Sequence, residues 1–200
     1  MSKKSLIQLG VPIVLAAALA AGCGSSKSSG GSTTGSSNGS VAAEAKATAT
    51  GDIPDNQNFL TYRNSTAGWS MRYPEGWAQK GSASTVTFQD KDNLVRVAIS
   101  KGAVPTPASV TGEIKKLKAL TPSVKTKQTE TVSLGGKKLV KVTYTTRSAP
   151  NPVTGKRVTL TVDRYELGKH GKVAVVELAT PVGVDNVDAY KMMIGSFKWL

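Results

Sequence analysis

The chain holds a single histidine and a single cysteine, and each is placed where its usual chemistry has no support. His170 sits in Gly168-Lys169-His170-Gly171, a turn signal between two strand-like runs. General acid–base work needs an oriented partner as well as a suitable pKa, and no such partner is legible beside it. Ser82, Ser84 and Ser133 lack the Gly-x-Ser-x-Gly elbow that exposes a nucleophile. Asp163 and Glu166 lie three apart on a strand, so they face opposite sides and make no glycosidase pair. Asp90-Lys91-Asp92-Asn93 clusters hard oxygens, but it lacks the glycine and the closing glutamate of a calcium loop and reads as a hairpin turn. Gly135-Gly136-Lys137-Lys138 is too short for a phosphate loop and opens a strand. The residues therefore predict no catalytic, metal or cofactor site, and a chain that is not an enzyme.

Chemistry of another kind is written at the N-terminus. Lys3 and Lys4 precede an apolar run from Leu6 to Ala21, which reads as a secretory signal. Sixteen residues with Gln8 and Pro12 among them fall short of the roughly 20 that a permanent helical span requires. The run ends in Leu19-Ala20-Ala21-Gly22-Cys23, which resembles the bacterial lipobox, with Ala20 where that motif prefers leucine. The resemblance implies a lipoprotein signal peptide over 1–22 and a palmitate-type lipid anchor on Cys23. Two or three acyl chains, at about 0.8 kcal/mol per buried methylene, would hold such a chain to a membrane.

From Gly24 to Ser40, 13 of 17 residues are Gly or Ser, and the polar composition continues to Asp55. Such a segment cannot offset the entropy of ordering, so 23–55 reads as the lipidated cysteine and a disordered linker. A coil of that length spans roughly 30 Å. All eleven aromatic residues lie at or beyond Phe59, so the core belongs to a domain over 56–200.

Lysine is the other conspicuous residue. The chain has 26 Lys+Arg against 13 Asp+Glu, and its excess positive charge lies in the domain rather than the signal. Lys115, Lys116, Lys118, Lys125, Lys127, Lys137, Lys138 and Lys141 share one stretch with a single acid, Glu130. Such density attracts polyanions over about a Debye length, near 8 Å at physiological salt. A solvated face is the plainer reading, because lysine favours exposure. Export disfavours nucleic acid; anionic lipid, acidic envelope polymer or an envelope protein are the accessible partners.

The elements that would carry these residues are mostly hairpins. Phe59 to Arg63 and Trp69 to Tyr73 flank one turn, Thr85 to Gln89 and Leu94 to Ser100 another. Gly135-Gly136 marks a two-residue turn that sets Glu130 opposite Lys141, with Val140, Val142 and Tyr144 toward a core. Arg157 to Leu167 and Lys172 to Thr180 pair across the His170 turn. One helix starts at Thr106-Pro107 and turns Val110, Ile114, Leu117 and Leu120 inward; a second starts near Asp185 and buries Val187, Tyr190 and Ile194. These elements predict an α+β fold, an antiparallel β-sheet flanked by helices.

The run from Trp69 through Tyr73-Pro74-Glu75-Gly76-Trp77, and the ending Tyr190 to Trp199, resemble the opening strand and corner and the terminal helix and strand of PsbP-like domains. The resemblance implies an α/β/α sandwich over Phe59 to Leu200, and it carries no photosynthetic role, because function needs a shared site. The sequence therefore reads as a membrane-anchored extracytoplasmic lipoprotein with a non-catalytic PsbP-like binding or accessory module. An envelope-acting enzyme whose site assembles only in three dimensions is the alternative, as is a basic module binding anionic lipids or polymers.

Overall fold

The computed structural model describes residues 51–200. The signal peptide, Cys23 and the linker as far as residue 50 lie outside the described residues. The elements run β1 (Phe59–Asn64), β2 (Trp69–Pro74), β3 (Ala78–Gly81), β4 (Thr85–Asp90), β5 (Asn93–Lys101), α1 (Pro107–Leu120), β6 (Lys125–Leu134), β7 (Lys137–Arg147), β8 (Thr159–Lys169), β9 (Lys172–Pro181), α2 (Val187–Gly195) and β10 (Lys198–Trp199).

Seven strands form one sheet in the order β3-β4-β5-β9-β8-β7-β6, and every pairing within it is antiparallel. Alternation gives this sheet two inner faces. Val140, Val142, Tyr144, Leu160 and Val162 point to one face and pack under Val110 and Ile114 of α1. Val95, Val97, Val176 and Leu178 point to the other and pack against Tyr190, Met193 and Ile194 of α2. This is the expected α+β sandwich, with one addition. β1 and β2 do not join the main sheet; they pair with β10 as a separate three-stranded sheet over the α2 face. Trp69, Met71 and Phe197 of this layer are buried, and the Trp69 and Phe197 rings stack at 5.9 Å.

Local chemistry explains the element ends. Thr106 caps α1 through a reciprocal pair of bonds: Ser109 N–H donates to Thr106 Oγ1, and Thr106 N–H donates to Ser109 Oγ, with Pro107 at the first helical position. Leu120 extends past the sheet and is 84% exposed, against the expectation that it faces the core. Gly135-Gly136 and His170-Gly171 all have positive φ, the signature of two-residue type I′ turns. Glu130 stands opposite Lys141 as expected. Gly76, at φ +87, turns the corner after Pro74 and delivers Trp77 to the edge of the core.

One expectation at the N-terminal edge is corrected: Asn93 is not a solvated turn residue, and with Asn186 it helps tie Gly51 and Ile53 to the fold. Asn93 is buried and donates to Gly51 O, while its own oxygen accepts from Thr180 Oγ1 at 2.9 Å and Asn186 Nδ2 at 3.1 Å. Asn186 also accepts from Ile53 N–H at 2.8 Å. The second helix accordingly begins at Val187 rather than Asp185, and Asn186 spends its side chain on this lock instead of on a helix cap.

Replacing Asn186 by alanine removes four hydrogen bonds from this lock. A loss of about 1–3 kcal/mol is expected, read as a lower Tm, together with faster proteolytic cleavage near Ile53. Unchanged cleavage there would show that the lock does not hold the N-terminal segment.

Candidate functional site

Two features stand out against the hydrophobic cores: a row of charges inside the sheet, and a gap that begins where that row ends. The row lies on the α1 face. Arg96 of β5, Glu177 of β9 and Arg164 of β8 are direct cross-strand neighbours. Arg96 donates to Glu177 Oε2 from Nε at 2.8 Å and Nη2 at 2.6 Å. Glu177 Oε1 accepts from Tyr144 Oη at 3.0 Å and Arg164 Nη1 at 3.3 Å. Arg164 then donates from Nε to Glu166 Oε1 at 2.8 Å, and from Nη2 to Glu113 Oε2 of α1 at 2.6 Å.

Two guanidinium groups thus meet three carboxyl groups, and Arg164, Glu166 and Glu177 are all buried. The surplus negative charge falls on Glu166. Burial pushes its pKa up; Arg164 opposes this, and neighbouring Glu113 pushes further up. Glu166 Oε2 has no donor partner. Burial and the unpartnered oxygen both favour the protonated form of Glu166. Burial and the Glu177 charge also raise the Tyr144 phenol, keeping it a neutral donor to Glu177.

The gap lies between β7 and β8. Their pairing runs from Arg147↔Thr159 to Val140↔Glu166 and stops there. β7 nevertheless continues to Lys137, paired with β6, and β8 continues to Lys169, paired with β9. Two hairpins therefore splay apart within one sheet, and a cavity of about 620 Å³ occupies the fissure. Gly168 admits the Val104-Pro105 segment to one wall: a Cβ there would lie 2.6 Å from Val104 Cα. On another wall Lys137 Nζ donates to Phe197 O at 2.6 Å.

Backbone direction follows from the turns. Residues flanking a type I′ turn bond within their own hairpin, and direction then alternates along the strand. Lys137 and Lys169 thus face their hairpin partners, while Lys138 and Gly168 turn their N–H and C=O groups into the fissure.

The structure divides the eight lysines of the sequence reading. Lys115, Lys116 and Lys118 are exposed on α1, and Lys125 and Lys127 on the edge strand β6. Lys141 is not a free surface charge: it pairs with Asp163 at 3.1 Å and Glu130 at 3.8 Å. Lys137 and Lys138 line the fissure, where they meet Lys169 and Lys198, two residues that the run of lysines did not include. His170 is exposed in its turn. Among the described residues, no group of three or more His, Cys, Asp and Glu side chains is arranged to hold a metal ion. Cys23 lies outside the described residues.

The sequence reading missed Arg96, Arg164 and Glu177 altogether. The signal was present: Arg164 and Glu166 continue the same alternation as Leu160 and Val162, placing charges at core positions of a strand.

This fold has a known counterpart. The solution structure of the cyanobacterial PsbP protein CyanoP from Synechocystis sp. PCC 6803 matches with a TM-score of 0.52 and 18% identity, over 75% of this chain and 98% of that one. The Ran-binding protein Mog1p of Saccharomyces cerevisiae gives a TM-score of 0.46 at 13% identity, over 72% of this chain and 96% of that one. No family model and no curated protein matches the sequence. The domain has a PsbP-like α+β fold, as the aromatic corner and the C-terminal helix and strand implied.

Arg164→Leu leaves buried Glu166 without a cation and Glu177 with only Arg96 and Tyr144, and should cost about 3–5 kcal/mol or prevent folding. Glu166→Gln keeps an acceptor for Arg164, supplies a donor toward Glu113, and should fold. Glu166 binds its proton more tightly folded than unfolded, so its contribution is full below the ordinary glutamate range and is lost as pH rises through the raised value. Thermal melts between about pH 4 and about pH 8 should show wild type losing ground to Glu166→Gln as pH rises. A constant difference would mean that Glu166 holds no extra proton.

Proposed function

We propose that the chain is a membrane-anchored extracytoplasmic lipoprotein whose folded part is a non-catalytic binding or accessory module. The anchor half is supported by Leu19 to Cys23, an apolar run followed by small residues and the chain's single cysteine. The polar stretch after Cys23 then acts as a tether. With Gly51 bonded to Asn93 and Asn186, this reading leaves 24–50 as the tether, a length that as a coil reaches roughly 30 Å. The domain would stand off from the lipid headgroups and face the envelope.

The observation that carries the binding half is the fissure. The buried polar groups of the charge row are engaged mainly with one another, whereas Lys138, Lys169 and Lys198 line an open cavity. A pocket between about 300 and 1,000 Å³, apolar with a few placed polar groups, is the usual form of a small-ligand site. The PsbP-like fold is compatible with an accessory role, and no photosynthetic role is carried over from CyanoP.

A second reading rests on the exposed lysines of α1 and β6, which can lie against an anionic lipid or envelope polymer. It predicts binding of the chain to anionic vesicles that falls steeply with salt. Salt-independent binding, or none, rejects it.

Radiolabelled palmitate should enter the protein in its native cell, and Cys23→Ala should abolish the label and release the chain from the membrane fraction. Labelling that survives the substitution contradicts the anchor.

A further inference from the structure

The fissure narrows the chemistry of what the module binds. Its lining has two characters. Lys137, Lys138, Lys169 and Lys198 bring positive charge, and Val104, Pro105 and Trp199 bring apolar surface over a floor of the buried Leu139, Leu167 and Phe197. Glu166 is the only acid among the described residues that line it. Its Oε1 is held by Arg164 Nε and Nη2 at 2.8 and 2.7 Å, so the carboxyl group is turned to the charge row and does not balance the lysines. Lys137 is committed to Phe197 O. Lys138, Lys169 and Lys198 have no acidic partner among the described residues.

We propose that the fissure between β7 and β8 binds a phosphate-headed amphiphile, with its apolar chain against Val104, Pro105 and Trp199 and its phosphate among Lys138, Lys169 and Lys198. Three observations converge on that class. Three ammonium groups without counter-charges match a multiply charged head, and lysine serves phosphate as a point charge. The Lys138 and Gly168 N–H groups, directed into the gap by the two type I′ turns, offer the same head fixed donors that cost no reorganisation. The remaining wall is apolar and cannot be filled by a free inorganic anion. A neutral-headed amphiphile would leave the lysines unused.

Two devices keep the fissure open. Gly168 gives way to Val104 and Pro105, whose approach would be blocked by any side chain. The tip of the β6–β7 hairpin rests at the end of α2, with Gly135 next to Gly195 O and Lys137 bonded to Phe197 O. The hairpin is thereby attached to the α2 and β10 layer, not zipped onto β8.

This inference rests on reading the folded part as a binding module, and its test is independent of the anchor. The mature chain carrying Cys23→Ser is titrated with dodecyl phosphate below its micelle concentration, followed by calorimetry and by tryptophan fluorescence. Dodecyl maltoside supplies the same chain with a neutral head, and inorganic phosphate supplies the head alone. Dodecyl phosphate should bind at least about tenfold tighter than either. The double variant Lys169→Ala, Lys198→Ala changes only exposed side chains and should weaken binding by about tenfold while leaving the Tm unchanged. Val104→Trp alters a side chain that is 67% exposed and should abolish binding by blocking the mouth. Equal binding of dodecyl maltoside, binding of phosphate as tight as that of dodecyl phosphate, no binding of any probe, or indifference to Val104→Trp would each overturn the proposal. Absence of palmitate label from the wild-type chain, with dodecyl phosphate binding intact, would overturn the anchor alone.

Discussion

Arg164 is the side chain around which the domain is organised. It is buried in the face covered by α1 and reaches carboxyl groups from three elements: Glu166 on its own strand, Glu177 on β9 and Glu113 on α1. A buried cation of this kind adds little net stability compared with a well-packed apolar core, but removing it strands its partners at high cost. What it supplies is position. Glu177 fixes β9 against β5 through Arg96, Tyr144 ties β7 to the same carboxylate, and Glu113 orients α1 above the sheet. A one-residue slip of any of these strands would turn a charge into the opposite, apolar core.

The same network marks where the sheet divides. Glu166 belongs both to the Arg164 cluster and to the last β7–β8 pair. Beyond it, ladder hydrogen bonds give way to the fissure. Electrostatics on the two sides of that point are opposite in kind: inside, arginines and carboxyl groups are paired with one another; outside, Lys138, Lys169 and Lys198 line an open cavity. A rigid, neutralised base below a cationic mouth is a preorganised arrangement, because little of it has to be ordered when a ligand arrives.

Much of this architecture was legible in the sequence where local chemistry dictates it. Gly135-Gly136 set the register of Glu130 against Lys141, and Thr106-Pro107 set the start of α1. The Tyr73 to Trp77 corner pointed to the PsbP-like fold that the CyanoP structure shares. The parts that were not legible depend on partners far apart in the chain. β1 and β2 alternate like main-sheet strands, and only pairing with β10 sends them to a separate layer. Gly51 looks like linker until Asn93 and Asn186 bind it. The fissure has no motif at all: it arises because two hairpins with tight turns are longer than the ladder that joins them. A run of eight lysines was visible, yet two of its members enter the fissure beside Lys169 and Lys198, and Lys141 is spent on carboxylates.

β7 and β8 are unzipped beyond Val140 and Glu166, and the proposed ligand occupies that gap. Residue-resolved amide hydrogen exchange tests both most directly. The amides of Lys138 and Gly168 should exchange far faster than those of Val140 and Glu166 in the free protein, and should become protected when dodecyl phosphate is added. Equal protection of all four amides in the free protein would show a closed ladder and contradict the account.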